Sequence, residues 1–301
     1  SLHYLLSRDS IHGPIDNEVI LEGHYLVANG QKIRILPGGE PGQIPWDSLD
    51  VDVVIDATGK YKDVADLNKH IEAGAKRVIV TVPPENEVDR IVVLGINNSD
   101  IALSDKIIST TSSTTQVLAL MLKMLDDKFG VKRAMMTTVH AYTSDQPLAD
   151  TAQSDLRRSR SAVENIIPNK TWAPELVGKL MPQFEGKVEG TAFNVPVPDG
   201  SAVDLTTDLE NLPSVEEANE AIQTFADGAL NGIVGFTDDP IVSSDVIGRS
   251  ETMLYDAKAT MITANKLLKT VCWYDNGWGF SARILELIES YQTLENEGGE
   301  S

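Results

Sequence analysis

Cysteine is almost absent from this sequence, with only Cys272 among 301 residues. A single cysteine excludes an intramolecular disulfide and any zinc site built from several thiolates, and such usage is typical of a reducing compartment. Cys272 lies in the apolar run 269–274, for which we predict a buried strand. A free cysteine in that setting behaves as a small hydrophobic residue, so we do not expect it to act as a nucleophile.

Long apolar runs and an excess of basic residues are also missing. No stretch approaches roughly 18 uninterrupted apolar residues, and the chain does not open on a basic segment followed by an apolar one. We therefore expect no membrane association and a cytoplasmic location. The formal net charge of −20 disfavours nucleic acid as a partner, because its phosphates are bound by Lys and Arg. A small molecule is the expected ligand.

The first part of the chain alternates between strand and helix patterns. Apolar side chains recur at helical spacing over 64–73, between two short apolar runs, which predicts a βαβ unit with parallel strands. The predicted strands cover 51–56, 76–81, 90–97 and 106–111. We interpret residues 1–112 as part of a doubly wound nucleotide-binding sheet.

The second part has a different pattern. Long alternating stretches at 187–210 and 252–274 favour a mainly antiparallel sheet with helices between its strands, so we predict an α+β domain over 113–280. Ser214 and Glu217 form a capping box that begins a helix. A last helix is expected at about 281–292, and the acidic, glycine-containing stretch 293–301 is interpreted as a disordered tail.

Hydroxyl side chains cluster at Ser112, Ser113, Thr114 and Thr115, directly before the helical pattern of 116–122. Such residues satisfy the free N–H groups of a first helical turn, so we predict an N-cap at this point.

Seven short motifs, taken in order, resemble the glyceraldehyde-3-phosphate dehydrogenase family, which includes erythrose-4-phosphate dehydrogenase. Each motif alone carries little weight, but their order along nearly the whole chain is specific. They are residues 9–13, 56–59, 109–115, 137–143, 155–160, 166–168 and 273–276. The resemblance implies a Rossmann-type NAD-binding domain, truncated in this sequence, and a catalytic domain against which the last helix packs.

The resemblance also implies the catalytic positions. Ser113 stands where the family has its nucleophilic cysteine, and His140 matches the histidine that activates the thiol. A hydroxyl needs a general base to become a nucleophile, because its pKa is far above that of a thiol. Without the resemblance, the favoured interpretation of His140 is a strand histidine that makes a local hydrogen bond; within the motif 137–140, the catalytic position is favoured.

Six positions match residues that line the family's two phosphate pockets. They are Ser112, Thr143, Asp145, Arg158, Thr171 and Asn194. Asn194 replaces a phosphate-binding arginine, and Trp172 replaces a glycine, so we expect weak binding of a sugar phosphate or preference for an unphosphorylated ligand. The arginines at 157, 158 and 160 are also compatible with a solvated charge cluster.

Five positions match residues near the family's dinucleotide, NAD or NADP: Thr58, Gly59, Tyr61, Thr81 and Asn276. The glycine-rich turn that receives the pyrophosphate is missing from the sequence, which starts at Ser1 within a helical pattern. Without the first strands of that domain, we expect an exposed sheet edge that needs a cover.

Three functions follow from these features. The first is a catalytically impaired family member with a structural, regulatory or ligand-sensing role, based on Ser113, Asn194 and the missing turn. The second is an active NAD-dependent phosphorylating aldehyde dehydrogenase that acts on a sugar phosphate. The third is a Ser-His hydrolase, which would need a group that orients His140. By resemblance, a homo-oligomer, commonly a tetramer, is expected.

Overall fold

The computed structural model describes residues 2–15, 19–264 and 266–298. The helices are α1 (Leu2–Leu6), α2 (Val64–Glu72), α3 (Ser113–Phe129), α4 (Ala173–Leu180), α5 (Val215–Asp227) and α6 (Trp278–Gly298). The strands are β1 (Val19–Glu22), β2 (Tyr25–Ala28), β3 (Gln31–Arg34), β4 (Val53–Asp56), β5 (Arg77–Val80), β6 (Arg90–Ile91), β7 (Ile107–Ser109), β8 (Val131–Ala141), β9 (Ile167–Asn169), β10 (Val188–Val195), β11 (Ser201–Leu209), β12 (Val234–Thr237), β13 (Met253–Asp256), β14 (Met261–Thr263) and β15 (Leu267–Tyr274).

A parallel sheet with the order β4-β5-β7-β6 forms the core of the first part. Helix α2 connects β4 to β5, begins with Asp63 as its N-cap and buries Leu67 against the sheet. The predicted βαβ unit is therefore confirmed. Strands β1, β2 and β3 form a separate antiparallel sheet.

The strand predicted over 90–97 is much shorter in the structure, because β6 contains only Arg90 and Ile91. The side chain of Asn97 accepts a hydrogen bond from the Val93 N–H and donates one to the Ile91 carbonyl. These bonds close a turn and end the strand.

The second part is built on an eight-stranded sheet with the order β12-β13-β15-β11-β8-β10-β9, and β14 pairs with β15. Among the described residues, five of its seven strand pairs are antiparallel; β8 with β10 and β12 with β13 are parallel. Helices α3 and α5 cover one face, where Leu118, Leu122 and Ile222 pack with Val203 and Leu205 of β11. The fold class expected from the sequence, a parallel Rossmann-type sheet with a second α+β sheet, is confirmed, as is the capping box at the start of α5.

Helix α6 packs against the parallel sheet, where Leu287 and Tyr291 contact Ile79 and Ile108. It continues to Gly298, so the structure corrects the disordered tail expected from residue 293. Leu294 packs on the same cluster, and Glu295 forms an ion pair with Arg77, which holds the last turns in place. Residues 299–301 lie outside the described residues. None of the helices in the described ranges combines the length and apolar content needed to cross a bilayer.

Candidate active site

The first turn of α3 carries Ser113. Thr111, two residues after the end of β7, has a positive φ of 62°, which is rare for a β-branched residue. Ser112 then caps the helix, and its Oγ accepts a hydrogen bond from the Thr115 N–H at 3.2 Å. Ser113 is the first helical residue. Its side chain is half-buried, and its hydroxyl makes no hydrogen bond to any described residue. The predicted N-cap is therefore confirmed. The cap is formed by Ser112, and the Ser113 hydroxyl takes no part in it.

His140 lies near the end of β8 with a half-buried ring. Its Nδ1 is 2.7 Å from the carbonyl oxygen of Ala141. Because a carbonyl only accepts, Nδ1 carries the proton and Nε2 is the basic nitrogen. Burial lowers the pKa of His140 below its usual value, and the bond to Ala141 offsets this only in part. His140 is therefore a neutral imidazole at neutral pH, oriented by a backbone carbonyl and not by a carboxylate.

Tyr274 joins the elements that carry these two residues. Its hydroxyl lies 2.8 Å from Thr114 Oγ1 and 3.1 Å from Thr138 Oγ1. Its ring also meets the His140 ring edge-on, with 6.0 Å between centroids. Thr114 follows Ser113 in α3, and Thr138 lies two residues before His140 on the same face of β8. Tyr274 thus contacts both the helix turn that carries Ser113 and the His140 ring, although no hydrogen bond between the side chains of Ser113 and His140 is formed in the described part of the chain.

Three of the phosphate-pocket positions bind one another. The Thr143 hydroxyl donates to the Asp145 carboxylate, and the Arg158 guanidinium forms an ion pair with the same carboxylate. Burial tends to raise the pKa of Asp145, but these two partners hold it below its usual value. The positive charge of Arg158 is therefore matched within the cluster.

Thr171 lies at the start of α4, where its Oγ1 accepts a hydrogen bond from the Ala173 N–H at 3.2 Å. The neighbouring Trp172 is half exposed, and the Lys170 ammonium lies 3.8 Å from the centre of its ring. Thr171, Trp172 and Lys179 line a cavity of about 740 Å³ along α4. The indole thus occupies the rim of this cavity.

Asn194 is buried in β10 and lies opposite His140 in the parallel pair with β8. Its Nδ2 donates to the Ala141 carbonyl at 3.2 Å, and its Oδ1 accepts from Asn169 Nδ2 at 3.2 Å. Both ends of the amide are therefore hydrogen-bonded within the protein, and the side chain carries no charge for an anion.

The carboxyl ends of β4 and β5 bring together Thr58, Gly59 and Thr81. Asp56 connects them: its carboxylate accepts from the Thr58 N–H and hydroxyl at 3.0 and 2.6 Å, and its carbonyl accepts from the Thr81 N–H at 3.1 Å. Gly59 has a φ of +66°, and a Cβ added to it would meet no other atom within 4 Å. Nucleotides bind at this edge of parallel sheets.

Thr110, at the end of β7, supports the same location. Its Oγ1 is buried and has no hydrogen-bond partner among the described residues. A buried hydroxyl of this kind is costly unless something else satisfies it. The polar edge, with this unpartnered hydroxyl, fits a dinucleotide.

The two remaining cofactor positions, Tyr61 and Asn276, make different contacts. The Tyr61 hydroxyl binds the Glu40 carboxylate in an exposed loop region. Asn276 accepts from Ser201 Oγ at 3.0 Å, and the same Oγ accepts from the Ala141 N–H at 3.0 Å. Asn276 is therefore connected to the His140 site, whereas Tyr61 lies with Glu40.

Sequence reasoning missed Tyr274, Ser201 and Asn169 as parts of the site. Tyr274 belongs to a motif that carried the resemblance, directly before Asp275 and Asn276, and that position was an available signal. No sequence signal indicated Ser201 or Asn169, because their hydrogen bonds to the site depend on how the strands pair. Cys272 is fully buried, as predicted, and burial raises the pKa of its thiol well above its usual value.

Comparison with known proteins identifies the family. Residues 1–64 match the model of the glyceraldehyde 3-phosphate dehydrogenase NAD binding domain, and residues 112–276 match that of the C-terminal domain. This agrees with NAD as the expected cofactor.

Individual relatives extend the match over almost the whole chain. The chain is 42% identical to a glyceraldehyde-3-phosphate dehydrogenase of Priestia megaterium over 289 residues, which cover 96% of this chain and 86% of the relative. It is 44% identical to one of Mycobacterium avium over 290 residues, covering 96% and 85%. The chain belongs to the glyceraldehyde-3-phosphate dehydrogenase family.

Proposed function

We propose that this chain is an NAD-dependent oxidoreductase that oxidises an aldehyde, and that a sugar phosphate is the first substrate to test. The relatives are named as glyceraldehyde-3-phosphate dehydrogenases, which supports this activity over a purely structural role. NAD and NADP should be compared in the same assay.

One observation carries the proposal: the Tyr274 hydroxyl binds both Thr114 and Thr138. These contacts connect the start of α3, which carries Ser113, to the end of β8, which carries His140, and so support a shared site. A nucleophile and a base are thereby available on rigid elements, as covalent catalysis requires.

When bound, the nicotinamide ring accepts the hydride that leaves the aldehyde carbon. The Ser113 Oγ attacks that carbon while His140 Nε2 takes the hydroxyl proton. The N–H groups of Ser113 and Thr114 lie in the first turn of α3, where they have no partner within the helix and stabilise negative charge on the aldehyde oxygen. The ester then formed on Ser113 is released by phosphate or water. Because a hydroxyl is a poorer nucleophile than a thiolate, we expect slow turnover.

A ligand-sensing role with little turnover is the second candidate. Two observations favour it. Ser113 forms no hydrogen bond with His140, and Asn194 has an uncharged, fully bonded amide where the family has an arginine.

The test compares the unmodified chain with Ser113→Cys and Ser113→Ala. NADH formation is measured with glyceraldehyde 3-phosphate and inorganic phosphate, and NAD binding is measured by calorimetry. We expect Ser113→Cys to raise kcat/KM on the order of 100-fold, because a thiolate at a helix start beside a histidine is far more reactive. Ser113→Ala should abolish the slow turnover.

Two results would change the proposal. NAD binding without turnover in both the unmodified chain and Ser113→Cys would favour the sensing role. The absence of NAD binding in all three proteins would contradict an NAD-dependent oxidoreductase.

We further propose a cytoplasmic homo-oligomer, a tetramer by resemblance. The face of the eight-stranded sheet opposite α3 and α5 exposes Met135 and Val139, which are 59% and 39% accessible. Light scattering should therefore give a multiple of the 32.7 kDa chain mass. A Met135→Lys/Val139→Lys double variant should be smaller, whereas Leu285→Lys, on the exposed side of α6, should not change the mass.

A further inference from the structure

Both backbone polar groups of Ala141 are held by side chains of the site. Its N–H donates to Ser201 Oγ at 3.0 Å. Its carbonyl accepts from His140 Nδ1 at 2.7 Å and from Asn194 Nδ2 at 3.2 Å. A carbonyl oxygen has two lone pairs, so it can serve both donors. The imidazole and the amide therefore share one acceptor.

The orientation of the Asn194 amide is fixed by its second partner. Asn169 Nδ2 is a donor and lies 3.2 Å from Asn194 Oδ1. If the amide were rotated by half a turn, its oxygen would face the Ala141 carbonyl and its NH2 would face the Asn169 NH2. Both contacts would then be repulsive inside a buried site, where Asn194 is only 6% exposed.

We propose that Asn194 is a positioning residue for His140. It fixes the Ala141 carbonyl, which holds the proton of His140 on Nδ1 and leaves Nε2 as the basic nitrogen. By resemblance, an arginine at this position would bind an anion. The shorter, uncharged Asn194 orients the base instead. The effect on turnover rests on the proposed function, whereas the effect on the imidazole does not.

The test uses nitrogen NMR of the full chain labelled with ¹⁵N-histidine. The five histidines are distinguished by His140→Gln, which removes one set of signals. In the unmodified chain the Nδ1–H form of His140 should dominate. In Asn194→Leu the ratio of the two tautomers should fall by about fivefold, because a neutral hydrogen bond contributes about that factor.

Asn231→Leu is the control for the loss of an Asn-to-carbonyl hydrogen bond at an exposed position. Asn231 Nδ2 also donates to a backbone carbonyl, that of Ala226, at 3.2 Å, and it lies outside the site. This variant loses the same kind of bond, so any general loosening of the fold would appear in it as well. Its His140 signals should match those of the unmodified chain.

Asn169→Ala covers the case in which Asn194→Leu fails to fold. It keeps the Asn194 donor but removes the partner that fixes the amide, so a smaller shift in the same direction is expected. An unchanged tautomer ratio in a folded Asn194→Leu, or in Asn169→Ala if the first variant does not fold, would overturn the proposal. If no NADH is formed by any variant while the tautomer ratio shifts as expected, the proposed function fails and the positioning role stands.

Discussion

The His140 site and the carboxyl edge of the parallel sheet satisfy their polar groups in opposite ways. Around Ala141 and Tyr274, the side chains of His140, Asn194, Ser201 and Tyr274 each have a hydrogen-bond partner within the chain. At the sheet edge, Thr110 Oγ1 is buried without a partner among the described residues, and Gly59 has open space around it. The difference indicates that hydrogen bonds within the protein orient His140, whereas the sheet edge has a hydroxyl available to bind a ligand.

His140→Gln should remove the base of the His140 site without affecting the carboxyl edge of the parallel sheet. Loss of the base should lower kcat/KM by about 10²- to 10⁴-fold, because glutamine cannot accept the proton of Ser113. NAD affinity, measured by calorimetry, should be unchanged. An equal loss of NAD affinity would mean that the two regions are not separate.

Tyr274→Phe should weaken the bridge between α3 and β8. It leaves the buried Thr114 and Thr138 hydroxyls without their shared partner, so we expect the free energy of unfolding to fall by about 1–3 kcal/mol. Urea unfolding measures this change. Tyr142→Phe is the control, since the Tyr142 hydroxyl has no hydrogen bond in the described ranges, and a loss as large as that of Tyr274→Phe would contradict the prediction.

The pH dependence should report the buried imidazole. Burial lowers the pKa of His140 below 6.5. The base therefore stays unprotonated to a lower pH than an ordinary histidine does, and kcat/KM should remain constant down to that lower pH. The unfolded chain binds this proton from about pH 6.5 downward, so the free energy of unfolding should decrease as pH falls through that value and below. His140→Gln should lack this component. An acid limb at or above pH 6.5 in kcat/KM would argue against His140 as the base.

Thr110→Val should have the smallest effect and should sharpen the contrast at the sheet edge. Removal of an unpartnered buried hydroxyl should raise the free energy of unfolding by about 1 kcal/mol and weaken NAD binding about fivefold. Thr270→Val is the matched control, since Thr270 Oγ1 is also buried without a partner but lies in β15. It should stabilise the chain and leave NAD affinity unchanged; the same loss of NAD affinity in both variants would refute a role for Thr110.

Much of the fold could be predicted because its signals are local. The capping box at Ser214, the N-cap at Ser112 and the βαβ unit each depend on residues a few positions apart. The prediction of a disordered tail from residue 293 was wrong, because contacts between residues far apart in the sequence determine the structure there. Leu294 and Glu295 keep α6 helical by binding the parallel sheet, although their composition alone favours disorder.

The site divides in the same way. The positions of Ser113 and His140 followed from motifs, but the orientation of the Asn194 amide depends on Asn169 across a strand pair. The bond from the Tyr61 hydroxyl to Glu40, 21 residues earlier in the chain, was likewise not predictable from the motifs. Such partners depend on tertiary packing, which periodicity does not encode.

The burial of Cys272 has a consequence for oxidation chemistry. Peroxides attack thiolates that solvent can reach, and a serine hydroxyl does not enter the series from sulfenic to sulfonic acid. With Ser113 at the helix start and the one thiol fully enclosed and protonated, the native chain offers no reactive sulfhydryl. Thiol-directed reagents should therefore leave it unmodified, and a cysteine introduced at position 113 would be the only one that they label.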